Sequence, residues 1–155
     1  MDLPRHQLSM TVLMTPDTAN FSGHVHGGTI LKLLDEVAYA CASRWSGQYV
    51  VTRSVDQVVF REPIRVGELV TFLSSINHTG RSSMEVGVKV LAEDVRTGST
   101  RHVNSCFLTM VAVNDRRQPV PAPCWRPQSP DDLRRHAAAA VRRELRLEQA
   151  RRLAG

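Results

Sequence analysis

Residues 20–44 read NFSGHVHGGTILKLLDEVAYACASR, a loop of glycines and histidines that runs without a break into an apolar helix. After Gly28, the side chains of Ile30, Leu31, Leu33, Leu34, Val37, Ala38, Cys41 and Ala42 cover most of that helix. At about 100° per residue the remaining positions, Lys32, Asp35, Glu36, Tyr39 and Ser43, fall on one narrow polar stripe. A helix apolar on nearly every side belongs inside a protein. Its start is equally informative, because adjacent glycines let another group approach the backbone and the free N–H groups of a helix N-terminus carry partial positive charge. An open N-terminal turn with a carboxylate partway along a buried helix suits chemistry on a carbonyl.

Outward from this stretch the pattern changes to strands. Gln7 to Met14 is a short first strand, ended by Thr15-Pro16-Asp17, and Ser46-Gly47 closes the helix. Tyr49 to Phe60 reads as a second strand stopped by Pro63, and Leu69 to Asn77 as a third, with a turn at His78-Thr79-Gly80. Met84, Val86, Val88 and Val90 alternate with Glu85, Gly87, Lys89 and Leu91, a period of two that marks one buried and one wetter face. Past Arg96-Thr97-Gly98, the strand Ser99 to Val113 is apolar on both faces in its latter half and needs cover on both, from the helix or from another subunit. One strand, a long apolar helix and four strands joined by short turns predict an α+β fold, an antiparallel sheet curled around one helix.

The 155 residues are the length of one domain, able to bury roughly 70% of the surface of the unfolded chain. Hydrophobic content of 42% and charged content of 23% are ordinary for a soluble globular protein. The sequence holds neither a signal-peptide pattern nor an apolar run long enough to span a bilayer. Three cysteines without metal-type spacing fit reduced thiols, so a cytoplasmic location is expected. Residues 131–155 hold seven arginines against four acids, so the net charge of +5 is largely a property of the tail and does not make the domain a nucleic-acid binder. Residues 116–130 carry the prolines of an irregular strap. Ser129-Pro130-Asp131-Asp132 then starts a helix, with Ser as cap, Pro in the first turn and acids against the dipole. Its thin apolar face predicts a helix that is solvated or lightly docked, with its arginines on a solvated face.

Four segments, ANFSGHVHGGTILKLLDEVA (19–38), VVFREPIRVGELV (58–70), TGRSSMEVGVKVLAED (79–94) and FLTMVAVND (107–115), resemble in order the acyl-CoA hydrolase branch of the hotdog-fold thioesterases. HGG followed by an acid seven positions after the second glycine, with a GRSSM turn downstream, is far more specific than HGG alone. The resemblance implies a hotdog domain over residues 1–115, a five-stranded antiparallel sheet wrapped around one helix; the C-terminal helix at 131–155 lies outside the matching segments. It implies hydrolysis of an acyl-CoA thioester with no cofactor beyond the substrate's own coenzyme A. It also implies a homodimer as the minimal unit, assembled further into a hexamer or tetramer. By position, Asp35 would be the catalytic carboxylate, Asn20 its partner across the interface, and Gly27 and Gly28 the donors of backbone N–H. Gly80, Arg81, Ser82 and Ser83 would lie along the CoA moiety.

Physical argument agrees with these assignments. Water attacking a thioester carbonyl puts negative charge on oxygen, which fixed N–H donors stabilise, and it needs a base or a nucleophilic carboxylate. Asp35 lies eight residues beyond Gly27, about 12 Å along the helix, too far for one subunit to serve both roles. Two antiparallel copies of the helix would bring the acid of one to the glycine loop of the other. Each assignment has a plainer counterpart. Asp35 could be solvated or paired with Lys32, Glu36 a partner of Lys32, Asn20 a turn residue, and Arg81 an exposed turn cation. His24 and His26 lack a third ligand at metal spacing, and His26 more readily bonds loop backbone or lines the pocket. Arg61, Arg65 and Lys89 are weaker phosphate candidates, and Asp56 and Thr109 have no assigned role. A non-catalytic acyl-CoA sensor on the same fold is the rival function.

Overall fold

A computed structural model describes residues 2–154. Five strands, β1 (Gln7–Leu13), β2 (Tyr49–Val55), β3 (Leu69–Thr79), β4 (Ser83–Glu93) and β5 (Thr100–Val113), form one sheet in the order β1-β3-β4-β5-β2, antiparallel throughout. Helix α1 (Gly27–Ser46) crosses one face, and α2 (Pro130–Leu153) follows the strap. This is the expected five-stranded sheet around an apolar helix. Strands β1 and β2 are its two free edges.

The core follows from the strand alternation. Val70, Phe72, Ile76, Met84, Val86, Val90, Cys106, Leu108 and Met110 point toward α1 and pack with its Ile30, Leu34, Val37, Ala38 and Cys41, all buried. Burial of Cys41 and Cys106 away from water pushes each thiol up to about 11, so both stay protonated. Helix α1 stops where Gly47 takes the left-handed conformation (φ 69°) and its N–H bonds Ser43 O at 2.8 Å, the closure expected at Ser46-Gly47. On the other face of β5 the Arg142 guanidinium lies 3.6 Å above the Phe107 ring, and beyond the end of β4 the strap pairs along the edge of β5, Val113 bridging Pro119.

Three expectations need correction. Strand β2 ends at Val55 rather than Phe60: a bulge lies between Thr52 and Ser54, pairing with β5 resumes through Val55, Asp56 N makes a last bond to Phe107 O at 2.9 Å, and the chain then leaves the sheet. His78 and Thr79 belong to β3 rather than to a turn. A bulge between Ile76 and His78 restores the pairing, Thr79 opposes Met84, and the turn is Gly80 to Ser82. The C-terminal helix is more than lightly docked. Its Ser129–Asp132 capping box forms as expected, but the helix is then anchored by polar contacts. Arg142 bonds the buried Glu85 at 2.7 and 3.1 Å, and Arg146 bridges Asp56 at 2.9 Å and Glu85 at 3.3 Å. His136 stacks on His78 at 5.0 Å, and Asp132 meets His6 at 3.2 Å. Burial pushes the Asp132 carboxyl up, but the amides of Ser129 and Gln128 and the His6 ring outweigh it and hold it below the usual range.

Candidate active site

The loop before α1 is built by its own polar groups. Asn20 Oδ1 accepts from Ser22 N (2.9 Å), Ser22 Oγ (2.6 Å) and His24 N (3.2 Å), an Asx-type turn that leaves the Asn20 side-chain amide free of protein partners among the described residues. Both readings of Asn20 are therefore compatible: its oxygen shapes the turn and its NH2 remains available to donate. Gly23 sits at φ 85°, which a side chain would strain. Val25 N donates to Ile64 O at 2.8 Å and His26 N to Thr18 O at 2.8 Å, tying the loop to its neighbours. Behind Ile64, Arg101 clamps Glu68 and Pro63 O, and its hydrogen bonds hold the Glu68 carboxyl below the usual range.

His26 caps α1, its Nδ1 accepting from Gly28 N at a long 3.4 Å. Of the two glycine amides, Gly27 N–H has no protein acceptor among the described residues and Gly28 N–H is weakly held. His24 Nδ1 meets Ser22 Oγ at 3.3 Å, so both imidazoles are engaged with their own loop. Asp35 is exposed, on the side of α1 that meets the edge strand β2. Neither it nor Glu36 pairs with Lys32 among the described residues, contrary to the plainer reading of both acids. Instead Thr52 Oγ1 donates to Asp35 Oδ1 at 2.5 Å. Thr52 was missed in the sequence, where it is the first of three consecutive polar residues, Thr52, Arg53 and Ser54, in a strand that opens on Tyr49, Val50 and Val51. The available signal was its alternation with Val50, which points it at α1.

The Gly80, Arg81, Ser82 and Ser83 turn is braced by Gly80 N to Ser83 O (2.8 Å), Ala112 N to Ser82 O (2.9 Å) and Ala122 N to Arg81 O (2.8 Å). It borders a groove of about 1230 Å³ closed on the other side by the second half of α2. Glu85, Thr109 and Val111 line this groove and alternate with the core-facing Met84, Leu108 and Met110, so it lies on the face of the sheet opposite α1. Asp56 and Thr109 thus acquire places: Asp56 holds Arg146, and the Thr109 hydroxyl is buried there without a partner. Lys89 lies elsewhere, in a cavity of about 590 Å³ between the sheet and the start of α2. The structure brings Asp35 to Thr52 but does not bring Asp35 to the glycine amides of its own helix.

Residues 22–99 match the profile described as Thioesterase superfamily. Protein VdlD of Helicobacter pylori is 49% identical over 142 residues, 92% of this chain and 81% of that protein. The chain belongs to the thioesterase superfamily. Among solved thioesterases, an apo-hexameric acyl-CoA thioesterase superposes with a TM-score of 0.90 at 36% identity, covering 94% of each chain. An acyl-CoA hydrolase from Staphylococcus aureus, solved with butyryl coenzyme A, coenzyme A and coenzyme A disulfide, gives 0.86 at 30% identity, covering 96% of this chain and 90% of that one. Further structures of that hydrolase carry alanine in place of an aspartate, an asparagine or a threonine.

Proposed function

We propose that this protein hydrolyses acyl-CoA thioesters to a carboxylic acid and free CoA, using a site shared between two protomers. In this reading Asp35, oriented by Thr52, activates a water for attack on the acyl carbon. Backbone N–H at Gly27 and Gly28 of the partner's helix start receives the charge developing on the carbonyl oxygen. Asn20 donates its free amide to the water or the carbonyl, His26 and Gly27 line the acyl end, and Gly80 to Ser83 lie along the CoA.

The observation that carries this reading is the Asp35–Thr52 pair. A carboxylate oriented by a hydroxyl, standing open beside the free edge of β2, is arranged for a reactant rather than for an ion pair. The three residue types replaced in the Staphylococcus aureus hydrolase, aspartate, asparagine and threonine, are those of Asp35, Asn20 and Thr52. Phe21 and Tyr49 stand largely exposed around the glycine loop and the β2 edge, as an interface between copies requires. The homodimer is the unit this geometry needs, with a hexamer or tetramer above it. Three free cysteines fit a reducing cytoplasm.

The test is thiol release from a panel of acyl-CoAs by the purified protein. Turnover supports hydrolysis, whereas saturable CoA binding without thiol release supports the sensor. A single turnover in oxygen-18 water separates general-base from nucleophilic action of Asp35, since label entering that carboxyl excludes the pure general-base route.

A further inference from the structure

Two arginines of α2 hold the helix to the sheet, and a third is left over for the groove. Arg142 is committed to Glu85 and Phe107, and Arg146 to Asp56 and Glu85, so both acids lining the groove are already neutralised. Arg143 is exposed and has no carboxylate partner among the described residues. Its guanidinium rests against the turn, because a Cβ built on Gly80 would lie 3.3 Å from each of its two terminal nitrogens. Arg81, the next residue of that turn, and Arg53 on β2 line the same groove, likewise without an acid among the described residues.

Three guanidiniums facing one open groove stay charged at any physiological pH and repel one another until an anion arrives. Their planar forks match phosphate oxygens two at a time. The turn adds the Ser82 and Ser83 hydroxyls, and the bare Cα of Gly80 lets the Arg143 guanidinium lie close against the turn. The Glu85 clasp fixes the helix turn that carries Arg143, so this cation is presented to the groove rather than swept through solvent.

We propose that Arg143 of the C-terminal helix completes, with Arg81 and Arg53, the seat for the phosphate groups in the nucleotide half of acyl-CoA. The inference rests on the acyl-CoA reading above and gives α2 a binding role beyond its contribution to packing.

The experiment compares wild type with Arg143→Ala on three substrates bearing one acyl group: acyl-CoA, acyl-3′-dephospho-CoA and acyl-pantetheine. The expected result is a rise of about tenfold in KM for acyl-CoA with kcat retained, and the same kcat/KM in both proteins for acyl-pantetheine. An equal loss on acyl-pantetheine, or no change on acyl-CoA, overturns the proposal. With acyl-3′-dephospho-CoA, disappearance of the effect assigns Arg143 to the 3′-phosphate and persistence assigns it to the diphosphate. Arg143→Lys, which keeps the charge without the fork, recovers part of the KM. Calorimetric titration with CoA and with pantetheine separates this inference from the reading beneath it. Selective loss of CoA affinity in Arg143→Ala, in a protein that releases no thiol, keeps the phosphate seat and rejects the hydrolase. Turnover with unaltered CoA affinity rejects the seat alone.

Discussion

Thr52 Oγ1 donates to Asp35 Oδ1 at 2.5 Å, joining the middle of α1 to the inward face of the edge strand β2. The bond occupies one carboxylate oxygen and orients the other. Thr52 itself contributes no charge and cannot act as a base at neutral pH. In the proposed mechanism its role is to set the direction in which Asp35 presents its free oxygen.

Replacing Asp35 by Asn keeps an acceptor for Thr52 and removes the base that the proposed mechanism requires. Turnover should fall by about 10³-fold or more, with the fold and CoA binding retained. Thr52→Val frees the carboxylate to rotate and should lower kcat by about tenfold with little change in KM. Steady-state kinetics with a thiol reagent measure both, and full activity in Asp35→Asn refutes the assignment.

The GRSS turn makes a separate prediction, on KM. Arg81→Ala should raise KM for acyl-CoA and leave kcat nearly intact, and an unchanged KM removes Arg81 from the CoA site. Gly80→Ala acts on the same parameter by crowding. The added Cβ would sit 2.6 Å from Ser83 Oγ and 3.3 Å from the Arg143 guanidinium, so both must shift. Gly80 is required there for close approach, and its substitution should raise KM several-fold without lowering kcat.

The parts of this protein legible in its sequence are those set by neighbours in the chain. Helix α1 shows in its apolar coverage and its Gly47 stop, β4 in its period of two, and the start of α2 in Ser129, Pro130 and Asp132. The parts that were not legible depend on distant partners. Arg142 and Glu85 lie 57 residues apart and Arg146 and Asp56 lie 90 apart, so a basic tail that reads as solvated is in fact clasped. The bulge in β3 leaves no compositional mark, which is why the end of that strand was misplaced. Of the candidate site, Asp35, Asn20 and the glycines were proposed from their motif, whereas the Thr52 contact shows only once α1 lies across the inward face of β2.

Glu85 is the acid on which α2 docks, and its loss should be felt in stability. It is buried, and it receives both Arg142 and Arg146, whose side chains are only about a quarter exposed. Glu85→Gln preserves the shape but leaves Arg142 with only a neutral, weaker acceptor and Arg146 with Asp56 as its one carboxylate. A loss of about 2 kcal/mol is expected, less than for a fully buried pair because water reaches the guanidiniums. Urea denaturation measures the loss, and hydrogen exchange should show it first in α2. Adding Arg142→Gln to Glu85→Gln should cost less than the sum of the two single changes, because the interaction is already broken. Strict additivity would mean that the two residues are not coupled.

His78 makes the docking of α2 sensitive to pH. It is stacked on His136 at 5.0 Å, and burial, the His136 charge, Arg143 and Arg146 lower its pKa from the ordinary 6.5, with only Glu85 opposing. The folded chain therefore takes up this proton less readily than the unfolded chain. Stability from this site is complete above about pH 6.5 and is lost progressively as the pH falls from there toward the lower folded value. The melting temperature of wild type should drop between about pH 7 and about pH 5 more steeply than that of His78→Gln, which cannot titrate there. The variant loses the ring stacking and starts lower at neutral pH, so the slope is the informative quantity. Parallel slopes in the two proteins would show that His78 does not carry the pH dependence.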